Sequence, residues 1–260
     1  MINANLYDES KRLNKSSIKF HKFIFNKFDK ILASSDRIAK LFKSIIDEKK
    51  IIVTGDSRFD QVIERKKQNK LIPPSEWNAN RLIILASIDG FDISIIDAAL
   101  LKYNLINEKL IIVPHEINDS TMNSIKNVLT KHKITYSLYS NLNPQSTCCI
   151  VDAVGILADL YKFSSIAYVG GGFSAGVHSV IEPAVYNNLV IHGPNIKILD
   201  EATDMAQKKI SVMINNGVEL SDALNLIQDQ EKLKLKQELT KQYINGRGNS
   251  ANKIIDEIFN

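Results

Sequence analysis

Cysteine is nearly absent from these 260 residues, and its two copies, Cys148 and Cys149, are adjacent. Neighbours on an extended strand point to opposite faces, so the pair suits neither a disulfide framework nor a metal cage and fits a reducing compartment. Long apolar runs are missing as well. No stretch approaches the 18 residues of a bilayer-crossing helix, and the start of the chain has no apolar signal core, so neither a membrane span nor visible export is expected. The five histidines are scattered. His178 and Glu182 lie four apart, but no further ligand is near, so no metal is expected. There is no Gly-x-x-x-x-Gly-Lys-Ser/Thr loop, which excludes a P-loop nucleotidase. Repeats and low-complexity segments are lacking too.

What remains is ordinary for a globular protein: 44% hydrophobic and 24% charged residues, enough to bury a sizeable core in one large or two smaller domains. Charge is unevenly placed. Residues 1–50 hold twelve Lys/Arg and six Asp/Glu, whereas the remainder is slightly acidic. A basic head on a near-neutral body points to an anionic surface, membrane or nucleic acid, or else to a solvated helix face.

Apolar spacing predicts a helix around Ile18–Phe28, a short strand at Ile31–Ala33, and a helix capped by Ser35 running to about Ile46. This opening has no obvious sheet of its own. From residue 50 short apolar runs alternate with helical segments. Strands are expected at Ile51, Leu82, Leu110, Tyr136, Cys148, Ile166, Leu189 and Ser211. A loop with paired prolines spans Leu71 to Trp77, and long helices are expected at Ser221–Tyr243 and Ser250–Phe259. Strands apolar on both faces, alternating with helices, mean a parallel sheet covered on both sides: an α/β, Rossmann-like fold.

Polar residues collect just after the strands: Asp56 and Arg58, Ser87, His115 and Glu116, Asp152, then His178, Ser179 and Glu182. In an open parallel sheet these share the carboxyl edge, where ligands bind. The stretch from Ile166 to Tyr186 holds strand, Gly170-Gly-Gly172, and a helix start at Ser179. That is the layout of an anion site built from free backbone N–H groups. It is not Gly-x-Gly-x-x-Gly, and no acidic residue follows at the spacing a dinucleotide ribose needs.

Asn3–Ser10, Thr54–Asp60, Val113-Pro-His-Glu116, Asp152–Leu157, Gly170–Ala184 and His192-Gly-Pro-Asn195 together resemble the 3-deoxy-D-manno-octulosonic acid (Kdo) transferases of lipopolysaccharide synthesis. The resemblance runs in register over essentially the whole chain. It implies half of a GT-B glycosyltransferase: residues 1–48 as the remnant of an acceptor domain, residues 49–260 as the donor domain. By the same resemblance most of the acceptor domain is missing, with its membrane anchor and the acidic general base, so no catalytic residue is assigned and the chain is expected to be inactive alone. The donor would be CMP-Kdo as substrate, with no cofactor and no metal. The acceptor would be the lipid A precursor, met at the cytoplasmic side of the bacterial inner membrane by a peripheral protein, or by a cytoplasmic fragment; nucleic acid is not an expected partner.

Carried over by position, the family's CMP contacts fall on Pro114 and His115, on Val154, Gly155 and Ile156, and on Ser179, Val180, Ile181 and Glu182. His115 stands where the family has arginine and lacks the bidentate fork. Ile156 stands where it has glutamate. Glu182 could accept the ribose hydroxyls, or Ser179 and Glu182 could form only a capping box at the helix start. Ser87, Gly171, Gly172, His178 and Asn195 are further candidates around the donor. Two alternatives stay open: an enzyme of this fold using another nucleotide sugar, and a non-catalytic nucleotide-binding module.

Overall fold

The computed structural model describes residues 1–72, 74 and 81–259. Most of the expected proline-rich loop, including Pro73 and Ser75 to Trp77, lies outside them. The chain forms two compact units, Met1–Lys67 with Lys197–Asp200 and Tyr243–Asn260, and Gln68–Ile196 with Glu201–Gln242.

In the first unit, β1 (Ile31–Ala33) pairs in parallel with β2 (Ile51–Val53). A parallel pair needs a crossover, and α2 (Asp36–Lys43) supplies it. Ser35 caps that helix, its hydroxyl accepting from the Ile38 N–H at 3.2 Å. The sequence division at 48/49 therefore falls inside this unit. Ile51 opens the partner of β1 rather than a strand of the large sheet, and the unit is not purely helical. Helix α1 (Ile18–Phe25) follows its expected position closely, and α3 (Ser57–Gln68) follows β2. The last helix, α11 (Ser250–Phe259), returns to this unit, where the Asp60 carboxylate accepts from the Asn249 and Ala251 N–H groups at 2.6 and 3.0 Å. Phe25, Ile31, Ala33, Ile38 and Phe42 form its core.

The second unit is one seven-stranded sheet. Its strands are β3 (Leu82–Ile88), β4 (Lys109–Pro114), β5 (Tyr136–Leu138), β6 (Cys148–Ile150), β7 (Ile166–Val169), β8 (Leu189–His192) and β9 (Val212–Met213). Their spatial order is β5-β6-β4-β3-β7-β8-β9, all parallel. From β3 the chain first builds to one side and then returns to the other at β7. The gap between these two strands is the topological switch point.

Alternating strand residues face two cores. Ile83, Leu85 and Cys148 join helices α4 (Gly90–Leu100), α5 (Asp119–Lys131) and α9 (Gly217–Leu224) on one face. Ile84, Ala86 and Cys149 meet α6 (Leu157–Leu160), Tyr161 and Phe163 on the other. The two cysteines thus point to opposite faces, and burial pushes the Cys149 thiol up to about 12.

Three helical expectations change. The long helix from Ser221 is two, α9 from Gly217 and α10 (Gln230–Asn245). Asn216 caps the first, and the Asp229 carboxylate caps the second by accepting from the Lys232 N–H at 3.0 Å. Each cap is a local competitor that apolar spacing does not register. Helix α8 (Asp200–Gln207) was not anticipated. Helix α7 (Ile181–Val185) begins two residues after Ser179. Among the described residues no helix is long and apolar enough to cross a membrane.

Candidate functional site

Because the strands are parallel, the segments leaving β6, β4, β3 and β7 lie side by side on one edge. They carry Val154-Gly155-Ile156, Pro114-His115, Ser87 to Asp89, and Gly170 to His178. The donor-site candidates named from the sequence follow these strands or, in the case of Asn195, lie on the neighbouring loop after β8. Asp56 and Arg58, expected on the same edge, do not join it: they follow β2, which belongs to the two-stranded sheet of the first unit, and pair with each other at 2.6 Å.

Strand β3 ends in a bulge. Ser87 is the extra residue, with φ at +54°, so Ala86 pairs with Val113 and Ile88 with Pro114. A bulge at a strand end re-aims the chain. Here it turns directly into α4, whose first turn holds Asp89 and Asp92 in a reciprocal capping box. Asp92 is completely buried. Its carboxylate accepts from the Tyr168 hydroxyl at 2.6 Å, the Gly171 N–H at 2.9 Å and the Asp89 N–H at 3.1 Å. Desolvation nevertheless holds its proton affinity above the ordinary 3.8. Asp89 accepts from the Ser174 hydroxyl, and its hydrogen bonds outweigh desolvation to keep it below the ordinary value. These two carboxylates lash the glycine loop to the sheet. The sequence reading missed both; the signal was the Asp-x-x-Asp spacing at a strand-to-helix turn.

Gly170-Gly-Gly172 is shaped by close approach. A Cβ on Gly170 would lie 2.4 Å from the Ser87 carbonyl oxygen, and one on Gly172 would lie 2.6 Å from the Gly193 nitrogen. Gly171 has φ at +83°. The loop closes on itself, with the Gly176 N–H donating to Gly171 O at 3.0 Å and the His178 N–H to Gly170 O at 3.1 Å. Asn195 braces it, its side-chain amide donating to Ser174 O at 2.8 Å and its backbone N–H to Gly172 O at 2.9 Å.

That folding brings His178 onto His115. The two imidazoles stack with centroids 4.5 Å apart. Burial, then the neighbouring charge of His115, lowers the proton affinity of His178 below the ordinary 6.5, while Asp89 opposes the shift. His178 is therefore neutral near pH 7.

The capping box at Ser179 and Glu182 does not form. Val180 occupies the cap position of α7 without a side-chain hydrogen bond. The reason is Pro183. Starting the helix at Ile181 puts the proline third, where its missing N–H has no intrahelical acceptor to lose, and the first helical bond runs from the Ala184 N–H to Val180 O at 3.3 Å. The N–H groups of Ser179, Val180 and Ile181 donate to no acceptor among the described residues. Five residues sum few peptide dipoles, so these N–H groups, more than a helix dipole, make the edge electropositive. Glu182 sits in the first turn, near enough to Tyr161 for its charge to add to the burial that raises the phenol. Val154 is 86% exposed, Gly155 has φ at +83°, and Ile156 is half buried against the second core. Asp152 does not cap the following helix; it accepts from the Ser140 N–H at 2.9 Å and from the Ser140 hydroxyl.

No family model matches this chain. A curated protein of Rickettsia prowazekii, named 3-deoxy-D-manno-octulosonic acid transferase, is 27% identical to it over 99% of its residues. This chain is a sequence relative of Kdo transferases. It spans 57% of that Kdo transferase's length. Two solved structures share the fold. One is the C-terminal CMP-Kdo binding domain of WaaA from Acinetobacter baumannii, with TM-score 0.56 and 16% identity, covering 71% of this chain and 98% of that domain. The other is a putative UDP-N-acetylglucosamine 2-epimerase from Listeria monocytogenes, with TM-score 0.68 and 15% identity, covering 99% of this chain and 66% of that one. The doubly covered parallel sheet is thus a fold this chain shares with both structures, in line with the expected α/β, Rossmann-like architecture.

Proposed function

We propose that this chain supplies the donor site of a Kdo transferase, holding CMP-Kdo at the carboxyl edge of the seven-stranded sheet. The observation that carries this is the set of three N–H groups, Ser179 to Ile181, that find no acceptor among the described residues, followed at once by the Glu182 carboxylate. The N–H groups suit a phosphate and the carboxylate suits the ribose hydroxyls. The Val154–Ile156 segment lies on the same edge and would face the base.

In the reaction a hydroxyl of the lipid A precursor attacks the anomeric carbon of Kdo. The bond from that carbon to the phosphate oxygen breaks, and its electron pair leaves with CMP. The growing charge falls on the phosphate, where N–H groups already in position need no reorganisation to stabilise it. No residue of this chain is assigned to take the hydroxyl proton. The lipid acceptor would be met at the cytoplasmic face of the inner membrane.

The direct test is calorimetric titration of CMP against UMP. Tighter binding of CMP is expected, and Glu182→Ala should weaken it more than about tenfold, equivalent to ~1.4 kcal/mol. Unchanged CMP affinity in that variant would remove Glu182 from the site. Ile156 and His115, which depart from the family pattern, favour the second reading, another nucleotide sugar; stronger binding of UMP would establish it.

A pH dependence follows from His178. A phosphate beside the imidazole pair raises its proton affinity, so binding takes up a proton. CMP should bind several-fold tighter at pH 6 than at pH 8, and His178→Ala should flatten the profile. An equally steep profile in the variant would show that another group carries the proton.

A further inference from the structure

We propose that helix α1 docks the first unit onto an anionic lipid bilayer, with Phe20 and Phe23 entering the headgroup boundary. Between Ser10 and Phe28 the chain has six basic residues, Lys11, Arg12, Lys15, Lys19, Lys22 and Lys27, and no Asp or Glu. None of the six forms an ion pair among the described residues. Elsewhere in this unit several basic side chains are paired, among them Lys30 with Glu257 at 3.0 Å, Arg37 with Asp200 at 2.6 Å and Lys43 with Glu48 at 3.7 Å. The acids just before the stretch are engaged, Glu9 by Lys197 at 2.5 Å and Asp8 by Arg37 at 3.7 Å, and Asp29 just after it forms no ion pair with any of the six among the described residues. The cluster is therefore positive charge that the fold leaves unanswered.

Helix α1 is anchored from within. Phe25 is buried and meets the Phe42 ring edge-on at 5.2 Å, and Ile18 packs on the same core. With that face committed, Lys19, Phe20, Lys22 and Phe23 point outward. Phe20 and Phe23 are 63% and 62% exposed. They lie three apart, one above the other on the helix surface. Lys27 holds its ammonium over the Phe23 ring at 5.0 Å.

Two exposed aromatic rings ringed by unpaired cations fit an interface that is apolar inside and anionic outside. Lysines can lay their stems along acyl chains and keep their charges among lipid phosphates. Five of the six basic residues are lysine, whereas a surface reading nucleic acid gains most from the planar arginine fork. The observations therefore favour a bilayer over RNA. This surface belongs to the first unit and its test needs no nucleotide, so its fate is independent of the donor site.

The full chain should be sedimented with vesicles of phosphatidylethanolamine and phosphatidylglycerol at 3:1, with pure phosphatidylcholine vesicles as comparison. Binding to the anionic vesicles is expected, weakening as salt is raised. Phe20→Ala with Phe23→Ala, and Lys19→Glu with Lys22→Glu, should each lower the partition coefficient by about tenfold or more. Since these side chains are exposed, the thermal unfolding midpoint should stay unchanged. In a Phe20→Trp variant, lipids brominated on their acyl chains should quench the new fluorescence. Equal binding to both vesicle types, variants that partition like the parent, or absence of quenching would each overturn the proposal. So would tight binding of poly(U) RNA that the anionic vesicles fail to displace.

Discussion

Asp92→Ala is expected to destabilise the second unit by about 3–5 kcal/mol, measured by urea unfolding, and to abolish CMP binding by releasing the glycine loop. The carboxylate is completely buried and accepts from Tyr168, Gly171 and Asp89. Removing it orphans three donors, each costing roughly 1–3 kcal/mol when left unpaired in the interior. An opposing effect keeps the sum near the lower end, because desolvation already penalises the charged carboxylate and raises its proton affinity. The sign of the pH dependence follows. A carboxyl raised in the fold binds more protons there than in the unfolded chain, so its stabilising contribution is fully present below about 3.8 and is lost as pH rises through the folded value. The gap between parent and variant should therefore be widest in acid and narrow toward neutrality. A loss below about 1 kcal/mol would mean that the three bonds contribute little more than water would.

Gly172→Ala should cost about 3 kcal/mol and weaken CMP more than tenfold, for a different reason. The added carbon would lie 2.6 Å from the nitrogen and 2.7 Å from the Cα of Gly193. Both are backbone, so the collision cannot be relieved by turning a side chain. The loops after β7 and β8 must part, and the Asn195 bond to Gly172 O goes with them. Gly90→Ala is the matched control. A Cβ there meets nothing within 4 Å, the residue opens α4, and the change should be neutral or stabilise by up to ~1 kcal/mol. If Gly172→Ala unfolds no earlier than Gly90→Ala, the close approach of the two loops is not what fixes the site.

Much of this protein was legible in its sequence. Apolar runs such as Leu82–Ala86 and Ile166–Val169 have one structural outcome when both faces are hydrophobic, a central parallel strand, and both are such strands. Ser35 was readable because a cap is a local event. The edge carrying Ser87, His115, Gly171, Gly172 and His178 was readable because parallel strands must end together. The start of α7 was not, because Ser-x-x-Glu and the following proline make competing demands and the proline prevailed.

Sequence by itself thus determined the strand-helix alternation, the basic opening and the glycine turn, since each depends on residues close along the chain. Tertiary structure alone decided three things. It gave Ile51 to the partner of Ile31 instead of the large sheet, placed Asp92 under the glycine loop 79 residues away, and stacked His178 on His115. Each of these is a contact between distant segments, chosen by which buried surfaces and donors must be satisfied together, and no local pattern encodes that choice.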